Sequence, residues 1–141
     1  MATASTTVTR QLQHKAEDVW AILRDFGNLS WVEGPSKVEV EGEGQGMVRR
    51  LHIPGMDTPI DEILDSIDES KRSLTYKIPK NDIIPFDNYS ATVSVSDKDG
   101  GAFIEWSCSL ELDNMSEADA SAMMEGNYNM LIDALDKKLS A

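Results

Sequence analysis

From Ser116 to Leu139 the chain carries one long amphipathic pattern, and whatever precedes it must fold against it. Ala120, Met124, Tyr128, Leu131, Leu135 and Leu139 recur at three- and four-residue steps, which puts them on one helical face. Ser116 is suited to cap the first turn, with Asp119 three residues on. A helix of this length spans roughly 35 Å at about 1.5 Å per residue, enough to lie along a whole curved sheet. Its inward face includes Met123, Met124 and Tyr128 as well as leucines, and methionine suits an adaptable pocket as readily as a core. The pattern points to a sheet gripping a helix, with room for a cavity between them.

The preceding chain supplies that sheet. Residues 6–13 alternate, with Val8 and Leu12 in phase, and read as a first strand. Ala16 to Phe26 reads as a helix with Val19, Trp20, Ile22, Leu23 and Phe26 on its apolar face, ended by Gly27. Leu29 to Val32 reads as a further short helical turn before Gly34-Pro35. Strands follow at 37–41, 47–53, 59–67 and around Leu74, Tyr76 and Ile78, then at 89–96 and 104–112. Asp99-Gly100-Gly101 is a hairpin signal. Short turns between strands imply an antiparallel sheet, and clean alternation implies one wet face and one inward face. The expected architecture is α+β in two layers, as a single domain spanning 1–141 with no repeat or linker.

Charge and composition then remove whole classes of function. The net charge of −12 sets the chain against phosphate backbones and anionic lipid surfaces, so no nucleic-acid partner is expected. No segment approaches the roughly 18 apolar residues of a membrane span, so no membrane insertion is expected. The first residues lack the basic and apolar regions of a signal peptide, and the cytoplasm is the default expectation. Cys108 is the one cysteine, which leaves no internal disulfide and reads as a buried structural thiol. His14 and His52 lack metal-ligand spacing, so no metal is expected. Gly42, Gly44 and Gly46 precede a strand rather than a helix and are turn residues, not a phosphate loop.

In order along the chain, Val19-Trp20-Ala21-Ile22-Leu23-Arg24-Asp25-Phe26-Gly27-Asn28-Leu29 with Trp31, then Gly44-x-Gly46-Met47-Val48-Arg49-Arg50-Leu51, Glu62, Tyr76, Asn88-Tyr89 and Trp106-Ser107 resemble polyketide cyclase/dehydrase-type proteins. These belong to the START/Bet v 1-like (SRPBCC) superfamily. The resemblance covers nearly the whole chain. It implies a helix-grip fold: a seven-stranded antiparallel sheet wrapped around a long C-terminal helix, with one or two short helices after the first strand. It also implies a cavity for apolar or amphipathic molecules. Some members of the superfamily are enzymes and others carriers or receptors, so fold alone does not choose among them.

The sharpest constellation lies around Pro54-Gly55-Met56-Asp57. A tight hairpin there makes Met47 face Leu64, Arg49 face Glu62 and Leu51 face Ile60, with Arg50 opposite Asp61 on the other side. A slip of one residue would destroy both charge pairs. The apolar company of Met47, Leu51, Ile53, Ile60 and Leu64 favours an inward Arg49–Glu62 pair, read either as a binding site or as mutual neutralisation near the sheet rim. Tyr76, Tyr89, Trp106 and Tyr128 sit on inward phases, where aromatics either line a ligand or pack the core. Trp106 reads as core, Tyr128 as cavity-facing, and Trp31 as a lid or plug at the mouth. The candidate cavity residues are therefore Arg49, Glu62, Tyr76, Tyr89, Trp106, Met124, Tyr128 and Trp31, with loops 54–57 and 79–88 framing the mouth.

The functional expectation is binding or transport of a small hydrophobic or amphipathic molecule such as a lipid or polyketide, with no cofactor. The alternative is a cyclase or dehydratase-type enzyme, with Glu62 and Arg49, or Tyr76 and Tyr128, as base and enolate-steadying donor. A third reading, an interaction module, gains ground if the interior is solid. The sequence leaves open whether the protein is catalytic, and whether it is a monomer or a homodimer.

Overall fold

The computed structural model describes residues 2–81 and 84–141. Nine elements follow one another: β1 Thr3–Leu12, α1 Ala16–Leu23, β2 Lys37–Glu41, β3 Val48–His52, β4 Ile60–Asp68, β5 Ser73–Ile78, β6 Phe86–Lys98, β7 Gly101–Leu112 and α2 Glu117–Ser140. The seven strands form one antiparallel sheet in the order β1-β7-β6-β5-β4-β3-β2.

Alternation decides the inner face. Val8, Trp106, Val93 and Leu74 stand side by side across β1, β7, β6 and β5, and all four are buried. The next row runs through Cys108, Ala91, Tyr76 and Leu64, again all buried. The β6–β7 turn is held by Asp99 and Gly100, both at positive φ (51° and 78°), the mirror-image turn whose twist matches that of the strands. Register shifts between Leu64 and Ser66 on β4 and between Asp87 and Ser90 on β6 mark bulges, which bend strands and increase their twist.

Helix α2 closes the inner face. The Ser116 side chain accepts a hydrogen bond from the Asp119 N–H at 3.1 Å, Glu117 and Asp119 occupy the first turn, and Lys137 and Lys138 the last, all favourable to the helix dipole. Its buried residues are Ala120, Met124, Tyr128, Ile132 and Leu135. Three readings of this face are corrected. Ile132 takes the place expected of Leu131, which with Leu139 is only partly buried. Met123 is 41% exposed. Steps of three and four residues are both helical, so two adjacent apolar residues cannot be ranked by period alone.

Helix α1 stops at Leu23, where the Arg24 N–H bonds the Trp20 carbonyl at 2.8 Å, earlier than the expected Phe26. Leu29–Val32 is a single hydrogen-bonded turn, not a second helix. Gly27 lets this segment lie against β2: a Cβ there would stand 2.9 Å from Val40 Cγ2 and 3.2 Å from Met47 Cε.

α2 packs on β1, β7 and α1, whereas among the described residues β2, β3 and β4 stand away from it. Arg10–Asp133 at 2.6 Å and His14–Asp136 at 2.8 Å fasten its C-terminal half to the end of β1. The sheet is therefore gripped firmly on one side and held off on the other, and the gap on that side is where the candidate site lies.

Candidate functional site

The β3–β4 hairpin has the register that its charges suggested: Arg49 opposite Glu62, Arg50 opposite Asp61, Leu51 opposite Ile60. Arg50 and Asp61 meet on the outer side at 2.8 Å, with Glu41 beside them at 3.0 Å. His52 is likewise outward, against Glu39. Arg49 and Glu62 turn inward, with side chains only 11% and 14% exposed.

Arg49 is held from three directions. Its Nε donates to Glu62 Oε1 at 2.6 Å and its Nη1 to the Phe26 carbonyl at 2.9 Å. Its guanidinium carbon stands 3.9 Å from the centre of the Phe26 ring and 5.1 Å from that of Tyr76. A flat guanidinium, weakly hydrated and multiply bonded, is the cation best suited to such a place.

Beside the pair opens a cavity of about 260 Å³, just under the roughly 300–1,000 Å³ range of small-molecule sites. The sheet contributes Arg49, Leu51, Ile53, Glu62, Leu74, Tyr76, Val93 and Trp106. α1 and the 25–35 segment close a second side, and Asn127, Met130 and Leu131 of α2 a third. Trp31, its Nε1 donating to the Asn28 carbonyl at 3.0 Å, stands at the mouth. Trp31, Val32, Glu33, Gly34 and Met130 also line an outer groove, so the way in runs between the 30–34 segment and the middle of α2.

Of the eight candidate residues, the structure brings Arg49, Glu62, Tyr76, Trp106 and Trp31 together around this cavity. Tyr89, Met124 and Tyr128 do not line it. They face inward, but where α2 already fills the space. The Tyr128 ring stacks on Trp106 with centroids 5.4 Å apart, and the Tyr89 and Tyr128 hydroxyls bond each other. Nor do loop 54–57 or the described part of loop 79–88 frame the mouth; residues 82 and 83 of the latter lie outside the described residues. Phe26, whose ring and carbonyl both serve Arg49, was legible only as an apolar position, because nothing in a sequence marks a backbone carbonyl as a guanidinium partner.

Burial pushes the hydroxyls of Tyr76, Tyr89 and Tyr128 far above the ordinary tyrosine range, so all three are neutral. Tyr76 OH accepts from Trp106 Nε1 at 3.2 Å. Burial likewise raises the Cys108 thiol, which disarms it as a nucleophile.

A curved seven-stranded sheet around a C-terminal helix, with a partly polar cavity under its loosely held end, defines a helix-grip protein of the START/Bet v 1-like class. The chain belongs to the family described as polyketide cyclase / dehydrase and lipid transport, whose sequence model matches residues 3–140. Among solved structures it is similar to the protein XoxI from Bacillus cereus, at 27% identity and a TM-score of 0.84, covering 96% of this chain and 94% of that one. An uncharacterized protein from Bacillus thuringiensis is similar at 26% identity and a TM-score of 0.83, covering 98% of this chain and 100% of that one. Ara h 8.0201 shares the fold at 16% identity and a TM-score of 0.81, covering 99% of this chain and 100% of that one. Among curated protein sequences none matches significantly. No helix among the described residues is long and apolar enough to cross a membrane.

Proposed function

We propose that the protein binds a small, largely apolar molecule in the cavity beside Arg49 and Glu62, entering past Trp31 and Met130. One observation carries this reading: an almost buried ion pair stands on a sheet wall otherwise made of aliphatic and aromatic side chains, next to open space. A buried pair is poor evidence for stability, since apolar residues of similar volume do as well or better. Its position is better explained by recognition of a polar group on an apolar ligand.

The family description includes cyclases and dehydrases alongside lipid transport. Binding is preferred over catalysis because no two cavity groups stand apart as base and donor. Glu62 and Arg49 are tied to each other through Oε1, the Tyr76 hydroxyl accepts from Trp106, and Tyr128 bonds Tyr89 away from the cavity.

The test is to fill the space. Leu51→Trp inserts an indole into the cavity from β3. It is expected to abolish binding of a neutral fluorescent dye such as N-phenyl-1-naphthylamine, while the far-ultraviolet circular dichroism stays that of the native protein. Unchanged dye binding in a folded Leu51→Trp variant would sink the reading.

A further inference from the structure

The polar end of the cavity has a definite hydrogen-bonding pattern. Arg49 spends Nε on Glu62 and Nη1 on Phe26, and among the described residues Nη2 has no partner. Glu62 accepts at Oε1, and among the described residues Oε2 has no partner. Among the described residues no buried side-chain nitrogen or oxygen lacks a partner, so these two atoms are not sealed in. Both residues line the cavity, which is the open space beside the pair. A cationic donor and an anionic acceptor, tied to each other in one pair, thus face the same small space.

The charge around that space is lopsided. Arg49 is its one cation among the described lining residues, against the carboxylates of Glu62, Asp25 and Glu33. Glu33 is exposed and has Lys137 at 3.7 Å; Glu62 already neutralises Arg49. An anionic ligand reaching Nη2 would bring a third charge to a satisfied pair, with Glu62 Oε2 as its like-charged neighbour in a partly desolvated site.

Resting on the binding function proposed above, we infer that the ligand class is uncharged and amide-like: an apolar body ending in an N–H donor beside a C=O acceptor, as in a primary carboxamide or a lactam. The carbonyl accepts from Arg49 Nη2 and the N–H donates to Glu62 Oε2. Both bonds involve an ionised protein group, and such bonds are shorter and stronger than neutral ones. The pair stays net neutral when the ligand is bound. A ketone or ester fills half of the pattern and leaves the carboxylate oxygen without a donor as water is displaced. A carboxylate meets Arg49 but is repelled by Glu62.

Three probes with the same chain separate these cases by calorimetry at pH 7: octanamide, octanoate and N,N-dimethyloctanamide, which keeps the carbonyl and loses the donor. Octanamide is expected to bind about ten- to hundred-fold more tightly than either of the others, the span of one charge-assisted hydrogen bond. In Glu62→Gln the preference over octanoate should collapse towards unity. Octanoate binding the wild type as well as octanamide does would overturn the inference, as would a dimethylamide equal to the primary amide. Those wild-type comparisons stand even if the variant fails to fold. If octanamide fails while N-phenyl-1-naphthylamine binds, the amide inference falls and the cavity reading survives. If neither binds, both fall.

Discussion

The two ends of the inner sheet face use similar residues to opposite effect. Where β7, β6 and β1 lie under α2, aromatic and aliphatic side chains meet helix side chains directly: Trp106 stacks on Tyr128, the Tyr89 hydroxyl bonds that of Tyr128, and Ile132 and Leu135 are fully buried. Under β3 and β4 the same inward phase carries Leu51, Ile53, Arg49 and Glu62, and the helix is out of reach. The lesson is that an inward residue is only half of a core. The other half is the element opposite, and where that element is held off, inward residues become a wall.

Four experiments would break or sharpen this contrast. The harshest is alkali. The folded protein keeps protons on Tyr76, Tyr89 and Tyr128 that the unfolded chain gives up near the ordinary value of about 10. Unfolding above about pH 10 therefore releases up to three protons. Stability is untouched by these groups at lower pH and falls as pH rises, by up to about 4 kcal/mol per pH unit. Urea titrations at increasing pH, read with phenolate absorbance, should show tyrosine ionisation only as the chain unfolds. Early ionisation in the folded state would mean that the packed end is wetter than described.

Next comes the ion pair. Arg49→Met leaves Glu62 without its counter-charge and should cost about 3–5 kcal/mol, whereas Arg49→Met combined with Glu62→Met should recover most of that loss. Chemical denaturation of the single and double variants measures both. A harmless Arg49→Met would place the pair in solvent.

Two neighbours on α2 make the most direct comparison. Ile132→Ala, in the packed region, should cost about 2–5 kcal/mol. Leu131→Ala, at the cavity wall and already partly exposed, should cost clearly less while altering binding of a cavity probe. Equal costs would erase the distinction between core and wall.

The smallest effect is at Cys108. A thiol reagent should label it slowly in the native protein and rapidly in denaturant, since burial both shields the sulfur and disfavours its thiolate. Fast native labelling would mean that the β7 row is open.

Much of the fold was legible because periodicity reports facing direction. The Arg49–Glu62 register followed from charge pairing across one hairpin, and the strands around Tyr76, Tyr89 and Trp106 followed from alternation. Depth is another matter. Tyr128 and Leu131 lie one helical turn apart and both look inward. Only the placement of α2 over β7 makes the first a core residue and the second a wall. The mouth was misplaced for a similar reason: loops 54–57 and 79–88 have loop composition, but the 25–35 segment reaches the cavity because Gly27 lets it lie on β2. Contacts made through a backbone atom, such as Phe26 to Arg49, leave no trace in residue types.

The sheet order also carries a consequence in time. β1 pairs with β7, so its partners lie roughly a hundred residues further along the chain, and at about 5–20 residues per second β1 waits about 5–20 s on the ribosome for a strand to join. Pairings this distant make folding slow and leave strand edges open to wrong partners. The strand that waits is Thr-Ala-Ser-Thr-Thr-Val-Thr-Arg-Gln-Leu: hydroxyl-bearing residues hold half of its positions, and Val8 and Leu12 are its only large apolar side chains. A sequence that looks unremarkable in the finished sheet is also one that can stand in water, unpaired, until β7 is made.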